Sequence, residues 1–201
     1  MTSLRHNTEA GPQSAYLDAA RACILDVGWR RTTLTEVARR AGVSRMTIYR
    51  AWPDMPAVLG DLMTREWGAV VARAVAQADA TRAAETAADR LVAEVVATCR
   101  ALRDNELFVR IVELDAELLL PYLLTRRGRS QQAVAELVAD RIREGQTDGS
   151  IRDGRPDSMA RALLLAMHGF VLSLHTMIDD DVDETELDEE LEELVRRAVT
   201  R

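Results

Sequence analysis

The 201-residue chain contains no lysine. Its 26 strongly basic residues are all arginine, which reflects a GC-rich genome and does not by itself point to nucleic acid. Aromatic residues make up only 4%, so any core must be mainly aliphatic. Two cysteines, Cys23 and Cys99, are too few and too far apart for a disulfide framework or a paired-cysteine metal site. They read as buried, reduced thiols of a cytoplasmic protein. Proline and glycine are sparse, 5 and 10 residues, while alanine is abundant, a composition that favours helix throughout. The most apolar stretch, Leu163–Ile178, carries His168 and His175 and is shorter than the ~20 residues of a membrane-spanning helix. The opening MTSLRHNTEAGPQS lacks the apolar segment of a secretion signal, and no membrane association is expected. Enzymatic signatures are missing too: there is no GxSxG elbow, no HExxH and no phosphate-cradling glycine loop, so catalysis is not expected. His168 and His175 stand seven apart rather than at the i, i+4 spacing of a helical metal pair. Neither a metal nor another cofactor is expected.

What is present suits a globular protein, with 47% apolar and 29% charged residues. The net charge of −7 is unevenly placed. Residues 1–52 hold eight Arg against four acids, a local +4, and the remainder holds eighteen Arg against twenty-nine acids, −11. A basic N-terminal quarter on an acidic chain is the distribution of a protein that meets phosphates with one end only.

That basic quarter contains the most informative stretch, TTLTEVARRAGVSRMTIYRAW, Thr32–Trp52. Leu34, Val37, Ala38 and Ala41 recur at i, i+3, i+4 and i+7, one face of a helix. Thr33 and Glu36 have the spacing of a capping box, and Gly42 supplies a stop. Ser44 can cap a second helix, Arg45 to Trp52, on which Ser44, Ile48 and Trp52 fall inward. Arg45, Met46, Tyr49 and Arg50 fall on the opposite side. Two short helices at a tight corner filled by Val43, the second with arginines and a tyrosine facing out, make a helix-turn-helix. Its second helix is shaped for the major groove.

GWRRTTLTEVARRAGVSRMTIYRAWPDMPAVL resembles the N-terminal DNA-binding domain of the TetR (tetracycline-repressor-like) regulators. The matching positions are Gly28, the aromatic Trp29, Thr32, Val37-Ala38, Ala41-Gly42-Val43-Ser44, Thr47, Ile48-Tyr49, Trp52 and Leu59. The chain departs from the pattern at Met55, where the family usually has a phosphate-touching lysine, and at Met46, where a small residue is usual. The resemblance implies that Thr47 and Tyr49 meet phosphates and nearby bases. From the residues themselves, Arg45 can make a bidentate contact to guanine, Arg50 a phosphate contact, and Met46 an apolar contact to a thymine methyl or simply a surface position. Thr33 and Ser44 are caps whose helix ends could receive a phosphate.

Read in order, the chain has a flexible arm over residues 1–12, in which Arg5 and His6 could touch DNA, a helix-turn-helix domain over 13–53 and a helical body over 54–201. The first helix is predicted from Ser14 to Val27. A long one starts near Asp54, with Pro56 in its first turn, and runs to Ala78. Others cover Arg82–Arg103, Glu106 to Leu119 with Pro121 interrupting, Ser130–Glu144 stopped by Gly145, Pro156–Ile178 and Glu184–Val199. The fold class is therefore all-α, about nine helices with no strand. The run Asp179–Glu193, eleven acids in fifteen residues, reads as a solvated loop and helix face that repels DNA from the body.

The resemblance implies a homodimer formed through the last two long helices, helped by Gly169, and a small-molecule effector held among the middle helices. Trp67, Cys99, Phe108, Met167 and His168 are candidates for the pocket wall, each with the competing reading of a packed core residue. The expected function is a homodimeric repressor, bound to a palindromic double-stranded operator and released by its ligand. An activator or ligand-independent regulator is the alternative, and a helical protein-interaction module a more distant one.

Overall fold

The computed structural model describes residues 11–81 and 86–200. The arm over residues 1–10, with Arg5 and His6, lies outside the described residues. Those described form ten α-helices and three short 3-10 helices, and no strand occurs among them. The first three helices are α1 (Pro12–Val27), α2 (Leu34–Arg40) and α3 (Arg45–Ala51). The remaining seven are α4 (Met55–Thr81), α5 (Ala87–Arg103), α6 (Glu106–Asp115), α7 (Leu120–Leu124), α8 (Arg129–Asp148), α9 (Pro156–Leu172) and α10 (Glu184–Val199).

The first three helices bury a small aliphatic core of Leu17, Ala20, Ile24, Leu34, Val37, Ala38 and Ile48. Their ends are set as the sequence indicates. Thr33 Oγ1 accepts from Glu36 N at 3.2 Å and Ser44 Oγ accepts from Thr47 N at 3.2 Å. Gly42 turns the corner at φ 68°, a conformation that costs a residue with a Cβ. The box at Thr33 is only half closed, however. The Glu36 carboxylate takes Arg39 instead of reaching back to the Thr33 amide, because a guanidinium one turn away offers two charged donors.

α4 is the shared strut. Its 27 residues span roughly 40 Å at 1.5 Å per residue, packing on α1 at one end and on α5 and α8 along the rest. Asp54 accepts from Ala57 N at 2.8 Å and starts the helix, with Pro56 in the first turn. α5 is the centre of the body and touches α4, α8, α9 and α10. That position explains why it buries residues on more than one face, including Leu91, Val92, Val95, Val96 and Cys99.

Several predicted boundaries move. α5 starts at Ala87 rather than Arg82, because Thr86 caps it by accepting from Asp89 N. Pro121 does not interrupt a helix; it sits in the first turn of α7, where its missing amide is harmless. α8 runs through Gly145 and stops at Gly149, which adopts φ 80°. Gly145 is instead a point of close approach: a Cβ there would lie 2.4 Å from Ile151 Cγ1, so only hydrogen lets the returning chain pack. α9 ends at Leu172, six residues before the predicted Ile178. The acidic run is not merely a solvated face. Asp188 is buried on α10 and holds Arg103 Nη2 at 2.8 Å and Arg100 Nε at 2.5 Å, which fastens α10 to α5.

Candidate nucleic-acid interface and cavity

Ile48 and Trp52 are buried on the inner side of α3. Tyr16 meets the Trp52 ring edge-on, 6.3 Å between centroids, so the helix is locked against α1 through its last turn. The opposite face points out. Met46 is 63% and Tyr49 49% exposed, and Arg45 and Arg50 are exposed beside them. Thr47 is half-buried, its hydroxyl 2.9 Å from Ser44 Oγ. Ser44, predicted to face inward, is exposed, because a cap sits at the rim of its helix rather than under it.

The charges on the head are divided between the helices. On α2, Arg39 is paired with Glu36 and Arg40 with Asp26. On α3, neither Arg45 nor Arg50 has a carboxylate partner among the described residues. Two unneutralised cations therefore sit on the face that also carries Tyr49, Met46 and the Ser44–Thr47 hydroxyl pair. Thr33 is exposed as well, at the neighbouring end of α2. This is a surface able to pair with phosphates and base edges at small cost in broken ion pairs.

Two carboxylates that belong to no motif tie this head to the rest of the chain. Asp61 on α4 accepts from Trp52 Nε1 at 2.7 Å and pairs with Arg129 at the start of α8. Asp115, buried at the end of α6, accepts from Trp29 N at 3.0 Å, and Arg30 approaches it at 3.6 Å while donating to Glu117. The contacts to Arg129 and to Trp29 join residues 68 and 86 apart, so periodicity could not have found them.

A cavity of about 490 Å³ opens between α4, α5, α6, α7, α8 and α9. Its floor is apolar, built from Met63, Val71, Leu102, Leu164, Met167 and the Trp67–Phe108 pair, which meet edge-on at 6.1 Å. Tyr122, Arg126, Arg127, Arg129, Ser130, Gln131 and His168 add a polar rim. Of the five predicted wall residues, Trp67, Phe108, Met167 and His168 line this space. Cys99 does not: it is fully buried in the α5 core, and burial pushes its thiol up to about 12.

His168 has a defined protonation state. Gln131 Oε1 accepts from Gly128 N at 2.8 Å, so its amide nitrogen is the donor toward Tyr122 O and toward His168 Nε2, both at 3.2 Å. An imidazole that accepts at Nε2 is neutral and carries its proton on Nδ1. Burial acts in the same direction and lowers its pKa below the ordinary value. Among the described residues no three His, Cys, Asp or Glu side chains gather into a possible metal site, and no helix is long and apolar enough to cross a membrane.

Residues 17–62 match the family described as bacterial regulatory proteins, tetR family. An uncharacterised HTH-type transcriptional regulator of Mycobacterium bovis is 34% identical over 185 residues, 92% of this chain and 93% of the relative. The chain belongs to the tetR family. It is accordingly a transcriptional regulator with a helix-turn-helix for binding DNA. Solved structures share the fold: the TetR family repressor AlkX of a Dietzia species superposes with a TM-score of 0.67 at 16% identity, covering 93% of this chain and 94% of that one. FadR of Bacillus subtilis, in complex with stearoyl-CoA, superposes with a TM-score of 0.63 at 18% identity, covering 92% and 98%.

Proposed function

We propose that this tetR-family regulator is a homodimeric repressor that holds a palindromic operator through α3 and leaves it when a small molecule fills the cavity. The observation that carries the reading is the outer face of α3, where Arg45 and Arg50 stand unpaired beside Tyr49, Thr47, Ser44 and Met46. Arg45 reads a guanine edge, Arg50, Tyr49 and Thr47 hold phosphates, and Met46 lies against a thymine methyl. Thr33 and Ser44 act first as caps and add hydroxyls at the phosphate backbone. In this division residues 13–53 are the reading head and 54–201 the effector and dimerisation body.

The dimer is supported by apolar surface that the single chain leaves uncovered. Leu165 is 72% exposed on α9, Leu194 is exposed on α10, and a Cβ at Gly169 would meet nothing within 4 Å. Two copies packed there form a four-helix contact, and the two-fold pair presents its heads to half-sites about one helical turn apart, roughly 34–36 Å. The effector reading rests on the cavity, part of whose floor is the half of α4 that also carries Asp61. A related fold in FadR holds stearoyl-CoA, and AlkX is a repressor; both support the same reading here.

The test is binding of the purified protein to DNA flanking its own gene over a salt series, beside Arg45→Ala and Tyr49→Ala. One palindromic fragment is expected to bind tightly, with each variant weakened. Binding that is equally weak for all three proteins on every fragment refutes the reading of α3. Transcription from that fragment in the presence of the protein then separates repression from activation.

A further inference from the structure

Resting on the reading of the cavity as an effector site, we propose that its occupant is an anionic amphiphile: an apolar body of about a dozen non-hydrogen atoms ended by a carboxylate or a phosphate. The first argument is charge. The chain has 33 acids and 26 Lys plus Arg, yet the cavity wall includes Arg126, Arg127 and Arg129 and not one Asp or Glu. A cationic ligand would find no counter-charge there.

Second, two of these guanidiniums are uncommitted. Elsewhere in the body, Arg100, Arg103, Arg141, Arg143, Arg196 and Arg197 are paired with carboxylates, while Arg110, Arg155 and Arg161 pair with none among the described residues but lie away from the cavity. Arg126 lies over the Tyr122 ring at 4.9 Å, and Arg127 donates to the neutral Gln132 amide at 2.7 Å. Neither has an acid within reach among the described residues. Planar guanidiniums at an opening are the groups that take a carboxylate or phosphate in a two-pronged contact.

Third, residues of the wall carry donors without partners, at the surface or just beneath it. Trp67 Nε1 is buried without a hydrogen-bond partner. His168 holds its proton on Nδ1, which likewise meets no acceptor among the described residues. Gly128 precedes the twenty-residue α8 and has no side chain with which to cap its first amides, so the positive end of that helix adds to the same rim. The apolar floor completes the description: a chain of methylenes or an aromatic body below, an acceptor-rich anion above. At about 490 Å³, with some 30 Å³ for each water-sized group, the space holds on the order of fifteen such groups.

The experiment is calorimetric titration of the full-length protein with four ten-carbon probes below their micelle concentrations: decanoate, decyl phosphate, 1-decanol and decyltrimethylammonium. At least one anion is expected to bind tenfold or more tighter than the alcohol, with no binding of the cation. The two anions differ only in head group, and the tighter one names it. In the double variant R126Q/R127Q the preferred anion is expected to lose most of its advantage over the alcohol, Arg129 keeping the remainder, while alcohol binding is unchanged. Both side chains are exposed, so folding is retained, and the wild-type series decides the matter even if it is not. Alcohol or cation binding as tight as either anion overturns the charge assignment and leaves the cavity as an effector site. Failure of all four probes overturns both.

Discussion

Removing Asp61 should uncouple the head from the body at a cost that can be set out group by group. Its carboxylate does two things: it accepts from Trp52 Nε1 at 2.7 Å and it pairs with Arg129. Trp52 is buried, so deleting its acceptor strands a donor away from water, at about 1–3 kcal/mol. The pair with Arg129 is worth far less. The Arg129 side chain is 67% exposed, and such ion pairs contribute about 0–1 kcal/mol. Asp61→Ala should therefore cost about 2–3 kcal/mol. In a chain of this length that lowers Tm by about 5–10 °C at fixed protein concentration. Asp61→Asn keeps an oxygen for Trp52 and should cost about 1 kcal/mol, and Arg129→Ala no more than that. Calorimetric or denaturant unfolding of the three variants gives the order directly. The operator affinity of the ligand-free protein should fall in the same order, since Trp52 closes the last turn of the reading helix. If Arg129→Ala matched Asp61→Ala in either measurement, the exposed pair rather than the buried indole would be the strut, and the reasoning would be wrong.

Three further outcomes follow from other parts of the chain. Leu165→Glu should leave a folded monomer at concentrations where the parent sediments as a dimer, with operator binding lost; a variant that stays dimeric places the interface elsewhere. Gly145→Ala should cost about 1–3 kcal/mol by overpacking against Ile151, and Ile151→Ala in the same chain should make the added methyl nearly neutral; a stable single variant refutes the close approach. His168 gives a pH dependence. Its folded pKa lies below the unfolded value of about 6.5, so between the two the unfolded chain binds more protons, and stability falls as pH drops below about 6.5. His168→Gln should flatten that slope between pH 5 and 7 in urea titrations, and an unchanged slope would mean that the imidazole protonates freely in the folded state.

How far the sequence led depended on whether the cause was local. The corner at Gly42, the caps Thr33 and Ser44, and the buried faces of α2 and α3 are each fixed within a few residues, and those were legible. So was the placement of Trp67, Phe108, Met167 and His168 on helices that converge. Cys99 misled because a position on an inward stripe does not say whether the neighbouring space is filled. Gly145 misled because a glycine late in a helix looks like a stop, while here it answers to Ile151 arriving from the following turn. Asp188 was hidden in a run of acids that reads as solvent-facing. Only Arg103 and Arg100, about 85 residues away, make it a buried anchor. One signal was available and unused. The segment TRRGRS concentrates three arginines in a region whose overall balance is −11, and such a local reversal of charge marks a surface with an electrostatic task.

The cavity and the reading helix do not touch, so any influence between them must pass through an element that both share. α4 is that element. Gly60, Met63, Thr64 and Trp67 line the cavity, and between them Asp61 faces the other way, toward Trp52. Arg129, on the cavity rim, holds the second oxygen of the same carboxylate. In the proposed reading an anionic head group at the rim competes with Asp61 for Arg129 while the apolar body presses on the floor of α4. Both act on α4 between Asp61 and Val71, about three turns of the helix that carries the head. Such a ligand moves the equilibrium only by its preference for the DNA-incompetent arrangement, and about 5.5 kcal/mol of preference takes a regulator from almost fully bound-competent to almost fully released. The exposed pair between Arg129 and Asp61 is too weak to supply that alone. The larger share must come from repacking of the apolar floor, so ligands with the right head group but a shorter body should bind without releasing the operator. A series of carboxylates of decreasing chain length, followed for binding and for operator release in parallel, should lose release first; loss of both at the same length would place the coupling in the ion pair instead.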